Sequence, residues 1–398
     1  MERRSEPLFR NPRFLKLWIG QSFSFFGDAV STVALIILVA QITGSAANVG
    51  GTLVARFLPT LLGPVVGVLA DRLERRIILV TCDLVRAAIM VALVFTRDMT
   101  LIYALVFCSG LARTFFNPTV RAAFPGVVGG GDLTRANSII SGTFSISIMA
   151  GPALGGFLVA TVGVNAAFLL DAVAYVISAA FISRIPMPRP EREEESGFGT
   201  DLKEGFSYLK GARIPLAIVL GTSLLVLTIN ITTPAEVFLA QDVFGAGDTG
   251  YGLLVSVWGA GMIAGTALMA LLGDRSNLLL LYFAAFFASA AAMGATGLSP
   301  TFFLALCAIA VAGISNGIDN IATDTLLQKR VPEHFLGRIF AVRFLGIGAA
   351  ESLAYFSGGL AVDAFGTRET YYISGLTTAL AGVLVLAIVF AAPKRSIP

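Results

Sequence analysis

Carboxylates and guanidiniums set inside long apolar runs are the residues of this 398-residue chain whose types could do chemistry. Asp28, Glu236 and Glu351 each stand in such a run, and so does Arg113. A charge at the centre of a bilayer costs at least ~2.5 kcal/mol on insertion scales, so each needs an opposite charge, a proton or a wet cavity. The expected chemistry follows from those remedies: Asp28, Glu236 and Glu351 handle protons or substrate charge, and Arg113 modulates them. Structural ion pairing is the competing explanation for each.

The balance of charge differs between the two halves of the chain. In the first half Asp28, Asp83 and Asp171 stand against Arg56, Arg86 and Arg113, and the i,i+3 spacing lets Asp83 and Arg86 pair on their own helix. In the second half Glu236, Asp319, Asp324 and Glu351 meet only Arg343, which leaves three carboxyls over. Protonation, a cation from elsewhere or a cationic substrate would neutralise them. Asp28 and Glu351 lie near the estimated mid-depth of their runs, and Glu236 follows Asn230 and the kinking Pro234. Asp319 and Asp324 lie nearer the cytoplasmic end and are assigned to an inner gate.

The elements that must hold these charges are membrane helices. Apolar residues make up 56% of the chain and charged ones 13%, with a mean hydropathy of +0.82, which excludes a water-soluble fold. A spanning helix needs about 20 apolar residues. Twelve such runs are read at 14–41, 48–70, 77–96, 100–123, 136–161, 165–183, 214–242, 249–273, 277–297, 301–327, 336–362 and 370–391. The first is too long for a cleaved signal and stays in the mature protein. With both termini in the cytoplasm, 22 of the 28 Lys and Arg fall on that side, counting Lys16, Arg121 and Arg338 at the cytoplasmic ends of their runs, two outside (Arg97, Arg368) and four deeper in spans (Arg56, Arg86, Arg113, Arg343), which satisfies the positive-inside rule. The expected location is the cell membrane, and loops this short outside carry no receptor domain.

Soluble chemistries are excluded in turn. A net charge of +3 without a basic, aromatic-laced run implies no nucleic-acid partner. Cys82, Cys108 and Cys307 sit in apolar runs as packing residues, and a single histidine, His334, leaves no metal cluster and no Ser/His/Asp triad. No metal, no cofactor and no enzyme activity are expected. Gly245-Ala246-Gly247-Asp248-Thr249-Gly250 satisfies a dinucleotide fingerprint but lies in a short loop between spans, where no strand-to-helix turn exists.

The polar stretch near 184–213 divides six spans from six, giving an N-terminal bundle (1–184), a cytoplasmic linker (185–213) and a C-terminal bundle (214–398). Within the linker Leu202, Phe206 and Leu209 recur at helical spacing, which fits an interfacial helix as well as a solvated tether. Leu38-Val39-Ala40-Gln41 before Gly44 echoes Phe238-Leu239-Ala240-Gln241 before Gly245, and Asp71-Arg72 echoes Asp274-Arg275. The expected fold is therefore all-α and integral to the membrane: twelve transmembrane helices in two six-helix bundles, related as parallel repeats around a central cavity. That arrangement suits alternating access.

At the end of the second span stands Gly67-Val68-Leu69-Ala70-Asp71-Arg72-Leu73-Glu74-Arg75-Arg76. It resembles the G-x-x-x-D-R-x-x-R-R loop of the major facilitator superfamily, and the match is complete. The resemblance implies a cytoplasmic latch built from Gly67, Asp71, Arg72, Arg75 and Arg76. The second copy, with Asp274 and Arg275, lacks the glycine and the following bases. In the fifth span Gly151-Pro152-Ala153-Leu154-Gly155-Gly156 makes a kinked helix with a small-residue face. The same residues resemble the GPxxGG motif of the superfamily's proton-coupled exporters, although Ser147 stands where those often have glycine.

Finer features, among them Asn11-Pro12-Arg13-Phe14, Gly27-Asp28, Asn117-Pro118, Asp171 and Val331-Pro332, are similar to the branch that includes macrolide, multidrug and enterobactin exporters. The resemblance covers essentially the whole chain. It implies a monomeric secondary transporter whose partners are protons, the lipid bilayer and a small amphiphilic substrate that it exports. A siderophore or lysophospholipid carrier, and a transport-incompetent sensor, are the alternatives. No phosphate-binding G-x-x-x-x-G-K-[ST] is present, in keeping with transport driven by ions.

Overall fold

The computed structural model describes residues 8–63, 66, 69, 73–128, 133–187, 198–273 and 277–390, and every regular element among them is a helix. The first, α1 (Pro12–Thr43), opens on a cap written in its sequence: the Asn11 side chain accepts from the amides of Arg13 and Phe14, and Pro12 fills a first turn that needs no amide donor. It stops at Gly44, whose φ of 58° belongs to the left-handed region that a side chain disfavours. There follow α2 (Ala46–Phe57), α3 (Arg75–Phe95), α4 (Met99–Val128), α5 (Leu133–Val162), α6 (Val164–Ile182) and α7 (Phe198–Gly211). The remainder comprises α8 (Arg213–Asn230), α9 (Gly247–Leu272), α10 (Leu278–Leu298), α11 (Phe302–Arg330), α12 (Glu333–Phe365) and α13 (Thr367–Phe390).

Eleven stretches of the described residues are long and apolar enough to cross a membrane. The twelfth expected span, 48–70, begins as α2, tightens into a 3-10 turn at Leu58–Leu62 and then includes residues outside the described set. The span expected at 214–242 is broken. After α8 the chain passes through a 3-10 turn (Thr233–Ala235), a single helical turn (Glu236–Phe238) and a π-turn (Leu239–Val243). Pro234 lacks an amide and its ring crowds the preceding turn, which accounts for the interruption. Glu236 is the first residue after it.

Internal contacts define two compact units. Unit 1 falls within Met1–Gly44, Ala55–Glu193 and Gly247–Ser256; unit 2 falls within Ser45–Val54, Glu194–Ala246 and Val257–Pro398. In unit 1, α1 packs against α5 and α6, and its residues from Val33 to Ala40 are continuously buried. Gly151 and Gly155 of α5 face α1: a Cβ on Gly151 would stand 2.5 Å from that of Ala29. Gly156 faces the other way, towards Gly252. Pro152 interrupts the helix, and the next amide, that of Ala153, donates to the Ser256 hydroxyl at 2.8 Å. The motif thus serves two helix contacts, because in lipid close approach of backbones replaces the hydrophobic drive.

In unit 2, α10 lies against α11 and α13 over a core that includes Tyr282, Phe286, Leu326, Ile339 and Val385. Here α7 forms a full helix. Leu209 is buried and Leu202 packs on the same core, Glu204 pairs with Arg338 at 2.9 Å, and Tyr208 stacks on Phe335. Phe206, which shares the helical spacing, is half-exposed. Helix α9 crosses α11 through glycines at i,i+4 on both sides, Gly261 with Gly265 and Gly313 with Gly317. A Cβ on Gly265 would lie 2.1 Å from the Ile314 carbonyl oxygen, so backbone would have to move. Gly265→Ala is accordingly expected to cost about 1–3 kcal/mol. A lower unfolding midpoint of the purified variant checks it; an unchanged midpoint would refute the crossing.

Candidate functional site

The charges of the first half converge in unit 1. On α1, Asp28, Ser31 and Thr32 share a face; on α6, Asp171 and Tyr175 are one turn apart. Gly110 lets α4 lie close on the end of α2, since a Cβ there would meet the Arg56 carbonyl oxygen at 2.3 Å. That approach brings Arg56 and Arg113 to the same carboxylate. Arg56 donates to Asp28 Oδ1 and Arg113 to Oδ2, both at 2.9 Å, while the Tyr175 hydroxyl donates to Oδ1 at 3.0 Å. Arg56 also donates to the Thr32 hydroxyl at 2.8 Å. Arg56 is buried at 7% side-chain exposure, whereas Asp28 and Arg113 keep 21% and 32%, so the network has one open edge.

The expected i,i+3 pair forms on α3: Arg86 donates to Asp83, and its guanidinium lies over the rings of Phe116 and Tyr175 at 4.6 and 4.3 Å. Three acids and three bases do not pair one to one, however. Asp28 takes two guanidiniums and Asp83 the third. Asp171, fully buried, accepts a hydrogen bond from the Ser31 hydroxyl on Oδ2, and its Oδ1 has no partner among the described residues.

In unit 2 the lone arginine is taken. Arg343, buried, donates to Asp324, whose side chain is 45% exposed. The side chains of Glu236 and Glu351, both partly buried residues, have no ion pair or hydrogen bond among the described residues. Asp319 is buried with Oδ1 unsatisfied, near the equally unsatisfied hydroxyls of Thr323 one turn on and Tyr282 on α10. The three surplus acids of the second half are therefore Glu236, Asp319 and Glu351.

Of the latch residues, Gly67, Asp71, Arg72, Asp274 and Arg275 lie outside the described residues. Arg75 donates to the Ala122 carbonyl at 3.1 Å and Arg76 faces Glu74 at 3.8 Å. Sequence reasoning missed Asp363 of α12. Its carboxylate accepts from the Ala46 and Ala47 amides, at 2.8 and 3.1 Å, and from the Ser45 hydroxyl at 2.6 Å. A helix start without a capping carboxylate of its own was the available signal. Near the start of α1 an apolar cleft of about 360 Å³ is lined by Trp18, Phe23, Phe26, Thr143 and Ile146, with the Trp18 indole donating to Thr143 at 3.0 Å. Phe344 is 64% exposed on α12.

Long apolar helices that bury arginine–carboxylate networks and leave further acids uncompensated define a multi-pass membrane transporter rather than an enzyme. The chain matches the transmembrane secretion effector family over residues 6–396 and belongs to it, within the major facilitator superfamily. It is 25% identical to macrolide efflux protein A of Streptococcus pyogenes over 377 residues, covering 91% of this chain and 92% of that one. It is 28% identical over 346 residues to BacE of Bacillus amyloliquefaciens, a proposed bacilysin exporter, covering 85% and 86%. The fold matches a crystal structure of a mutant nucleoside transporter NupG with a TM-score of 0.80 at 13% identity, covering 95% of this chain and 100% of that one.

Proposed function

We propose that this transporter exports an amphiphilic small molecule of the macrolide type in exchange for protons. Two six-helix bundles, 1–184 and 214–398 joined by the linker 185–213, would expose the substrate to the two sides of the membrane in turn. The protein works as a monomer in the cell membrane with both termini in the cytoplasm. The observation that carries the proton coupling is the pair Glu236 and Glu351: two acids in apolar helices without a counter-charge among the described residues. In lipid such acids are tolerated by taking up a proton or by meeting a wet cavity, and both serve an antiporter. One proton moving down the potential supplies ~2.3 kcal/mol per 100 mV, enough for more than a tenfold uphill gradient of solute. The full-length similarity to a macrolide efflux protein supports the substrate class.

The test is uptake of erythromycin by proteoliposomes with an acidic lumen, where molecules inserted inside out export into the vesicle. Accumulation that collapses with a protonophore is expected. Uptake indifferent to the pH gradient would overturn the coupling, and binding without any movement across the bilayer would make the protein a sensor.

A further inference from the structure

We propose that Asp171, rather than Asp28, is the carboxyl of unit 1 that carries a transferable proton. This deepens the proton-coupled function above and rests on it for its role in transport.

The allocation of cations argues it. The charged and titratable groups around Asp171 are Asp28 from α1, Arg56 from α2, Arg86 from α3 with Asp83 beside it, and Tyr175 on α6 itself. Helix α5 contributes none at this depth, its only charged residue being Arg135 at its first turn. Arg56 lies within electrostatic range of Asp171 but gives its hydrogen bonds to Asp28 and Thr32, and Arg113 is held by Asp28. Arg86 is held by Asp83. An ionised Asp171 would be a fully buried anion with no guanidinium of its own, beside the carboxylate that has two.

The hydrogen inventory has room for that proton. The Ser31 hydroxyl carries one hydrogen and stands within reach of two acceptors, Asp171 Oδ2 and the Asp28 carbonyl oxygen at 3.4 Å. With Asp171 ionised, Oδ2 takes that hydrogen and the Asp28 carbonyl keeps the one donated by the Thr32 hydroxyl at 2.5 Å. With a proton on Oδ2 the acid donates to Ser31 Oγ, and Ser31 donates onward to the Asp28 carbonyl, so both contacts are hydrogen bonds. The oxygen left bare is then the carbonyl Oδ1 of a neutral acid, which costs far less to bury than a charged one. Gly27 holds this geometry, because a Cβ there would lie 2.3 Å from Asp171 Oδ1. The balance is simple: one proton binds Oδ2 from one side of the membrane, and the same proton leaves Oδ2 to the other, turning the net charge of the set Asp28, Asp83, Asp171, Arg56, Arg86 and Arg113 from neutral to +1 and back.

Infrared spectroscopy of the full chain in lipid nanodiscs tests this without a substrate. Subtracting the Asp171→Asn spectrum from wild type at neutral pH should isolate the carbonyl stretch of one buried carboxylic acid, which disappears reversibly at strongly alkaline pH. The triple variant Asp28→Asn, Arg56→Gln, Arg113→Gln removes that carboxylate together with the cations it holds and should leave the band in place. Ser31→Ala keeps the acid and should shift the band, so the assignment survives if Asp171→Asn misfolds. A band missing from the wild-type difference, one removed by the triple variant, or one that never titrates would overturn the proposal. In acid-lumen proteoliposomes Asp171→Asn should lose at least ~10-fold of gradient-driven erythromycin accumulation while keeping downhill exchange. Wild-type vesicles that ignore the gradient would defeat the coupled function and leave the infrared result standing alone.

Discussion

Asp28→Asn is expected to abolish transport and to destabilise the protein by about 3–5 kcal/mol, the cost of leaving a buried charge without its partner. Arg56 bears most of this loss because it is almost wholly buried, and its remaining acceptor, the Thr32 hydroxyl, is neutral. Arg113 bears less, since a third of its side chain is open and water can replace the carboxylate. The two arginines should therefore behave differently in combination. Asp28→Asn with Arg56→Gln should recover much of the stability, whereas Asp28→Asn with Arg113→Gln should recover little. The unfolding midpoints of the single and double variants, read as a double-mutant cycle, supply the check. Equal rescue by both arginines would show that the open edge of the network is as dry as its interior, and the site would lose its claim to face a cavity.

The second large effect belongs to Glu236 and Glu351. Glutamine keeps their shape and removes the proton, so each single variant should lose at least ~10-fold of accumulation driven by a pH gradient. Downhill exchange of erythromycin should persist, because no counter-charge is left unpaired by either change. The sign with pH follows. Wild-type accumulation should rise as the lumen becomes more acidic, since in the proposed exchange protonation from that side returns the carrier, and the Gln variants should be flat. A Glu236→Gln or Glu351→Gln protein that accumulates the macrolide as steeply as wild type would remove that acid from the coupling path. The position of Glu236 makes it the more sensitive of the two, for it opens the short turn after Pro234 where the helix is already broken.

Much of this architecture is legible as a string. Long apolar runs must become helices in a bilayer because lipid offers backbone groups no other partner, and Asn11, Pro12 and Gly44 mark the first helix at both ends by local chemistry alone. The Asp83–Arg86 pair follows from spacing on one helix, and the break at Pro234 follows from a missing amide. Even the excess of three acids in the second half is a matter of counting.

Which acids those are, and which base each remaining one meets, needed the packed helices. Arg113 reaches Asp28 across 85 residues and Tyr175 reaches it across 147, and no local period encodes such a meeting. A count of three against three in unit 1 concealed that one carboxylate takes two guanidiniums and another takes only a serine. Phe206 and Leu209 carry the same helical signal, yet one is exposed and the other buried, because periodicity marks a face while the neighbouring helix decides how much of it is covered. Charge and periodicity are properties of the chain. Partnership depends on distances between segments remote in sequence, and those exist only once glycines such as Gly27 and Gly110 have let the helices close on one another.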